Sequence, residues 1–207
     1  MDIKDLYVNI PTDEAINTTK TQLAKNNNSR TTNQITSLLE VILKQNYFKF
    51  QDQIYQPDIG VAMGSPISGT IAEVLLQHLE EAHIKHLLKT KSITFYTRYV
   101  DDMLITYDST RTTYESILQY TNGIHSNMWL DPTTETNSRI NYLDLLITRN
   151  PTKLGISIFC KHTSTDTTIN FYSNHPLEHK IAAYRFHIER MFTLPLGEEQ
   201  WKRNGNP

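Results

Sequence analysis

Two adjacent carboxylates, Asp101 and Asp102, sit in Tyr99-Val100-Asp101-Asp102 between two runs rich in β-branched and aromatic residues. The runs 92–98 and 103–107 have the composition of strands, which predicts the pair at the tip of a tight hairpin. Side-by-side aspartates repel, and crowding them is unfavourable unless a cation lies beside them. Phosphoryl transfer supplies such a cation, because it uses two metal ions about 3.5–4 Å apart to hold the attacking and leaving oxygens. Asp in a turn also bonds its own backbone, so the pair gains meaning only from other parts of the chain.

One hairpin tip cannot surround two ions, so a third carboxylate from another strand is required. Asp2, in Met1-Asp2-Ile3-Lys4-Asp5-Leu6-Tyr7-Val8-Asn9-Ile10-Pro11, is the candidate, and Asp5 is the decoy. Tyr7 lies five residues further on, where the chain should be turning away from the strand. A second block, Gly60-Val61-Ala62-Met63-Gly64-Ser65-Pro66-Ile67-Ser68, places glycines where backbone can approach a ligand closely. Ser65 and Pro66 then suit the cap and first turn of a helix, whose apolar side would be Ile67, Ile71, Val74, Leu75 and Leu79. A junction of this kind offers free N–H groups to an anion or a base. It also describes an ordinary capped core helix.

Residues 2–7, 60–68 and 99–102 resemble, in order and approximate spacing, the A, B and C motifs of reverse transcriptases. The block Asp-x-x-x-Leu-aromatic-x-Asn-Ile-Pro and the block Gly-x-Ala-Met-Gly-Ser-Pro are similar to those of Penelope-like retroelements. Asn141-Tyr142-Leu143-Asp144 resembles the segment that follows the palm in that group. Residues 161–166, 173–176 and 179–185 resemble its distal region. The likeness covers nearly the whole chain.

This resemblance implies roles. Asp2 and Asp101 would ligate two magnesium (or manganese) ions, Asp102 would complete the acidic cluster, and the Ile3 carbonyl would face the nucleotide's metal. Tyr7 would be a steric gate against a ribose 2′-hydroxyl. Gly64, Ser65, Pro66 and Tyr99 would line the pocket for template and nucleotide. The implied partners are an RNA or DNA template with its primer and a deoxynucleoside triphosphate, and the implied reaction is attack of a primer 3′-hydroxyl on the α-phosphate. Fingers elements precede the first motif in such enzymes, and only Met1 precedes Asp2 here, so a fragment is expected, with an α-amino group beside the metal site.

Composition agrees without deciding. The 207 residues suit one domain or one plus an appendage. No apolar run approaches the roughly 20 residues of a membrane span, no secretory leader is visible, and a single cysteine, Cys160, fits a reducing, intracellular compartment. Cys160 sits in an apolar run and reads as a small buried hydrophobe. A net charge of −2 is unusual for a phosphate-binding chain. From Lys153 onward, however, seven Lys or Arg face five Asp or Glu, with four histidines.

The elements that must position these residues read as an α+β fold: a polymerase palm, with an antiparallel sheet and helices on one face, followed by a partial helical thumb-like segment. Helices are expected over 12–25, over 33–45 with Ile35, Leu38, Leu39, Ile42 and Leu43 on its apolar side, and over 113–126, with a hairpin over 47–55 and strands over 139–148 and 155–161. The palm is assigned to 1–150 and the connecting strand and thumb to 151–207. In the latter, Leu177, Ile181, Tyr184, Ile188 and Met191 form a helical stripe. Lys180, His187 and Arg190 on another side are candidates for nucleic-acid binding. Two other readings stand beside polymerase activity: an inactive nucleic-acid-binding remnant, and a zinc hydrolase using His175, Glu178 and His179 in a His-x-x-Glu-His pattern. Pro176 argues against the latter by starting the helix after His175.

Overall fold

The computed structural model describes residues 1–90, 92–159, 161, 168–194 and 196, apart from the side chain of 191. Expectations for Cys160, for residues 162–166 and for the Met191 side chain lie outside the described residues. The chain forms two compact units, Met1–Thr133 and Thr134–Pro207. Among the described residues no helix is long and apolar enough to cross a membrane.

The first unit is built on a four-stranded antiparallel sheet. Its strands are β1 (Asp2–Ile3), β4 (Phe95–Tyr99), β5 (Asp102–Thr106) and β6 (Leu130–Asp131), in the order β4-β5-β1-β6. Helices α1 (Leu6–Asn9), α2 (Thr12–Asn26), α3 (Ser29–Lys44), α4 (Ser68–Leu79), α5 (Lys85–Lys89) and α6 (Tyr114–Asn122) complete it, with a small hairpin of β2 (Phe48–Phe50) and β3 (Gln53–Tyr55). A π-helical turn over Glu80–Ile84 joins α4 to α5. The core gathers Ile3, Leu6 and Ile10 from the N-terminus, Ile71, Leu75 and Leu76 from α4, Leu39 and Leu43 from α3, and Met103 and Leu130 from the sheet. The α+β palm-like architecture expected from the sequence is therefore present.

Three local expectations change. Helix α3 starts at Ser29, four residues early, because the Asn28 side chain accepts from the Thr31 N–H and caps it. Helix α4 starts at Ser68, not at Ser65–Pro66: the Ser65 N–H bonds the Ala62 carbonyl, the Ser68 N–H bonds the Ser65 carbonyl, and the Ser68 hydroxyl returns to Ala62. These bonds make a turn of the segment read as a first helical turn. On α3 the predicted apolar side is split, with Leu39 and Leu43 buried while Ile35, Leu38 and Ile42 stay exposed.

The second unit holds a three-stranded antiparallel sheet, β7 (Arg139–Tyr142), β8 (Leu145–Arg149) and β9 (Leu154–Ile158), and the helix α7 (Leu177–Thr193). Residues 139–148, read as one strand, are two, reversed at Leu143, whose φ is 53°.

Two glycines show why the 60–64 loop needs them. Gly60 has φ +92°, and a Cβ there would stand 2.5 Å from the Val8 carbonyl oxygen. Its N–H donates to the Ile10 carbonyl at 2.9 Å, and the Val61 N–H donates to the Tyr7 carbonyl at 2.8 Å. The close approach expected of this loop is thus made to the chain's own α1. Gly64 has φ +87° but open space where a Cβ would go. Gly60→Ala should therefore cost on the order of 3 kcal/mol of stability, strain plus clash, and Gly64→Ala about 1 kcal/mol from strain alone. Urea unfolding of the two variants beside the parent chain checks the ranking, and equal losses would contradict it.

Candidate active site

Strand β1 lies between β5 and β6, with Asp2 opposite Asp102 on one side and opposite Asp131 on the other. The Ile3 N–H donates to the Asp101 carbonyl at 3.0 Å, and the Met103 N–H donates to the Met1 carbonyl at 2.8 Å. These two bonds flank the Asp2–Asp102 pair and leave it non-hydrogen-bonded. In antiparallel sheets that type of pair brings Cα atoms to roughly 4.5 Å and side chains closest together. Directly opposed residues share a face, so Asp131, Asp2 and Asp102 form a row across three strands. Ile3, Met103 and Leu130, one position along, are buried on the other face.

Asp101 sits in the two-residue turn between Tyr99 and Asp102, which pair with each other and close the hairpin. Val100, the first turn residue, has φ 55°. For a β-branched side chain this is a strained conformation of the kind that clusters at functional sites.

The electrostatics follow from this crowding. Partial burial of the Asp2 carboxylate, then the charges of Asp101 and Asp102, and also Asp131, push its pKa above the usual aspartate value; the Met1 ammonium offsets this only in part. That ammonium donates to the Met103 carbonyl at 3.0 Å, and burial lowers its pKa against the opposing pull of Asp102 and Asp2. Among the described residues no group of three His, Cys, Asp or Glu side chains forms a ready-made metal cage. Magnesium does not require one: it keeps several waters and is held by one or two carboxylates with substrate phosphates. Crowded, repelling carboxylates are compatible with a divalent cation, and the residues here that could hold one are Asp2, Asp101 and Asp102, with the Ile3 carbonyl on the same strand as Asp2.

Tyr7 is in α1, half-buried against the core, and its hydroxyl lies 3.9 Å from where a Cβ on Gly69 would be. Gly64 and Pro66 are exposed and Ser65 half-buried, while Tyr99 is 63% exposed. In the second unit, the Lys180 ammonium donates at 2.6 Å to the carbonyls of both Phe171 and Ser173 and lies over the Phe171 ring. Arg190 reaches Asp144 at 3.7 Å and stacks over Phe186. Both charges are engaged within their own unit, whereas His187 is exposed. His175 stands before the helix with Nδ1 3.1 Å from the Ser173 hydroxyl, so the zinc pattern of His175, Glu178 and His179 is not brought onto one helical face.

Sequence reasoning missed two residues. Asp131 extends the acidic row from a two-residue strand that no local pattern marks. Arg98 lies beneath the hairpin and joins Glu73, Glu80 and the Val100 carbonyl.

Residues 1–128 match the family model described as reverse transcriptase (RNA-dependent DNA polymerase). A similar solved structure is that of telomerase from Candida albicans in complex with the TWJ fragment of telomeric RNA. The likeness has a TM-score of 0.62 at 14% identity and covers 93% of this chain and 34% of that one. No curated protein sequence matches the chain.

A carboxylate whose pKa is raised by folding favours the folded state below its unfolded pKa, and this contribution is lost as pH rises through the folded value. Asp2→Asn should therefore melt at a higher temperature than the parent chain at pH 7–8 without divalent ions. The gap should close as pH falls towards 3, where both are neutral at position 2. Calorimetry across that range checks it, and a gap that grows on acidification would contradict the crowding.

Proposed function

The chain belongs to the reverse transcriptase family, and from that premise we propose that Asp2, Asp101 and Asp102 are the metal-binding carboxylates of an RNA-directed DNA polymerase. The observation supporting this is the non-hydrogen-bonded register of Asp2 against Asp102 with Asp101 in the adjoining turn. Reverse transcriptase domains use divalent metal ions, and two magnesium ions, when bound, would activate the primer 3′-hydroxyl and neutralise charge developing on the α-phosphate. The side chains contribute fixed negative charge at one spot, the Ile3 carbonyl contributes a further oxygen, and the Val100–Asp101 turn fixes the direction of the second carboxylate. Tyr7 stands as the ring limiting space at the sugar, and Gly64, Ser65, Pro66 and Tyr99 as the surface meeting template and incoming deoxynucleotide. In the second unit, His187 is the exposed candidate for nucleic-acid contact, with Lys180 and Arg190 able to join only by leaving their internal partners.

The order and spelling of the motifs support a Penelope-like retroelement origin. The chain spans about a third of the telomerase chain it resembles, 34%, which supports reading it as the palm-bearing piece of a larger polymerase. Template, primer and nucleotide are accordingly properties proposed for that whole.

The chain, or the chain joined to its upstream sequence, is expected to extend a primer on an RNA template with Mg²⁺. Asp101→Asn should lower the rate on the order of 10²–10³-fold or more, and extension at the parent rate would refute the assignment. Tyr7→Ala should admit ribonucleotides, and unchanged discrimination between ATP and dATP would remove Tyr7 from the gate.

A further inference from the structure

Under the acidic tip lies a charged group that the reaction itself does not call for. The Arg98 side chain, on β4, is only 5% exposed. Its guanidinium makes a forked pair with Glu73 of α4, at 2.9 and 3.1 Å. Its Nε donates to Glu80, the residue at which α4 passes into the π-helical turn. One of its terminal nitrogens also donates to the Val100 carbonyl at 2.9 Å. Tyr96, two residues before it on β4, donates its hydroxyl to the same Glu80 carboxylate at 2.6 Å.

A buried guanidinium carries a desolvation cost, and replacing such an ion network by apolar side chains is often neutral or favourable for stability. Stability alone is therefore a weak reason for the arrangement. The bond to Val100 gives a stronger one. Val100 is held at φ 55°, which a β-branched residue avoids, and such conformations persist only where surrounding structure over-determines them. The Arg98–Val100 bond holds the first residue of the turn that carries Asp101, and the guanidinium is fixed to α4 by a planar two-point pair. Lysine could supply the charge but not this fork.

We propose that Arg98, clamped by Glu73 and Glu80, is a positioning residue that fixes the Val100 carbonyl and thereby the direction of the Asp101 carboxylate. The proposal rests on the reading of Asp2, Asp101 and Asp102 as metal ligands. The network runs from one helix, through one guanidinium, to one carbonyl beside the site. Outer-sphere groups of this kind orient the ligands they support, and their loss weakens metal binding or activity about 10–100-fold.

Mn²⁺ binding to the whole chain, followed by the free-ion electron paramagnetic resonance signal, tests this alongside thermal melting. Arg98→Lys and the uncharged replacement Glu73→Gln/Glu80→Gln/Arg98→Met should each weaken Mn²⁺ binding about tenfold or more, and the triple variant should do so while melting near the parent temperature. Either variant, folded and binding Mn²⁺ within twofold of the parent, would overturn the positioning role. If both fail to fold, Arg98 is a stability element and the role falls equally. Mn²⁺ binding that is absent in the parent, or unchanged in Asp101→Asn, would instead overturn the reading of the site beneath it.

Discussion

The structure depends on a two-faced strip of sheet. Where β5, β1 and β6 run side by side, one face buries Met103, Ile3 and Leu130 and the other carries Asp102, Asp2 and Asp131. Burying one such apolar side chain is worth roughly 1.5–3 kcal/mol. Two unit charges 4 Å apart in water repel by only about 1 kcal/mol. The apolar face therefore dictates the register, and the carboxylates are carried into proximity as its consequence. A slip of one residue would turn every side chain over, placing aspartates in the core and isoleucine in water. Repulsion among the acids is tolerated because they remain on the solvent side, where a cation can reach them.

The hairpin was legible in the sequence because its flanks are strongly β-forming and its tip polar. The carboxylate of residue 2 was legible only through motif order, since a strand of two residues has no periodicity to read. Asp131 carried no signal at all: its neighbours in space are 29 and 129 positions away, and a two-residue strand closing a sheet looks like loop. Arg98 was equally silent, because its partners Glu73 and Glu80 lie 25 and 18 residues upstream and nothing local distinguishes a buried arginine from a solvated one.

The remaining differences have local causes. Asn28 turned a polar run into a helix cap, and Ser65 used its backbone for a turn before α4 could begin. Leu143 reverses the chain at positive φ although leucine is no turn former, so the sequence read through it as one strand. The stripes on α3 and α7 had the right period, but periodicity reports which residues share a side and not whether that side is covered. Ile35, Leu38 and Ile42 on α3, and Leu177, Tyr184 and Ile188 on α7, remain exposed.

The contact between Gly60 and α1 has a consequence for how this protein can change. Because the residue-60 backbone rests against Val8, and Val61 holds the Tyr7 carbonyl, the pitch of the position-7 ring is inherited from a loop fifty residues away. Mutations in that loop can thus retilt the ring without altering the ring itself.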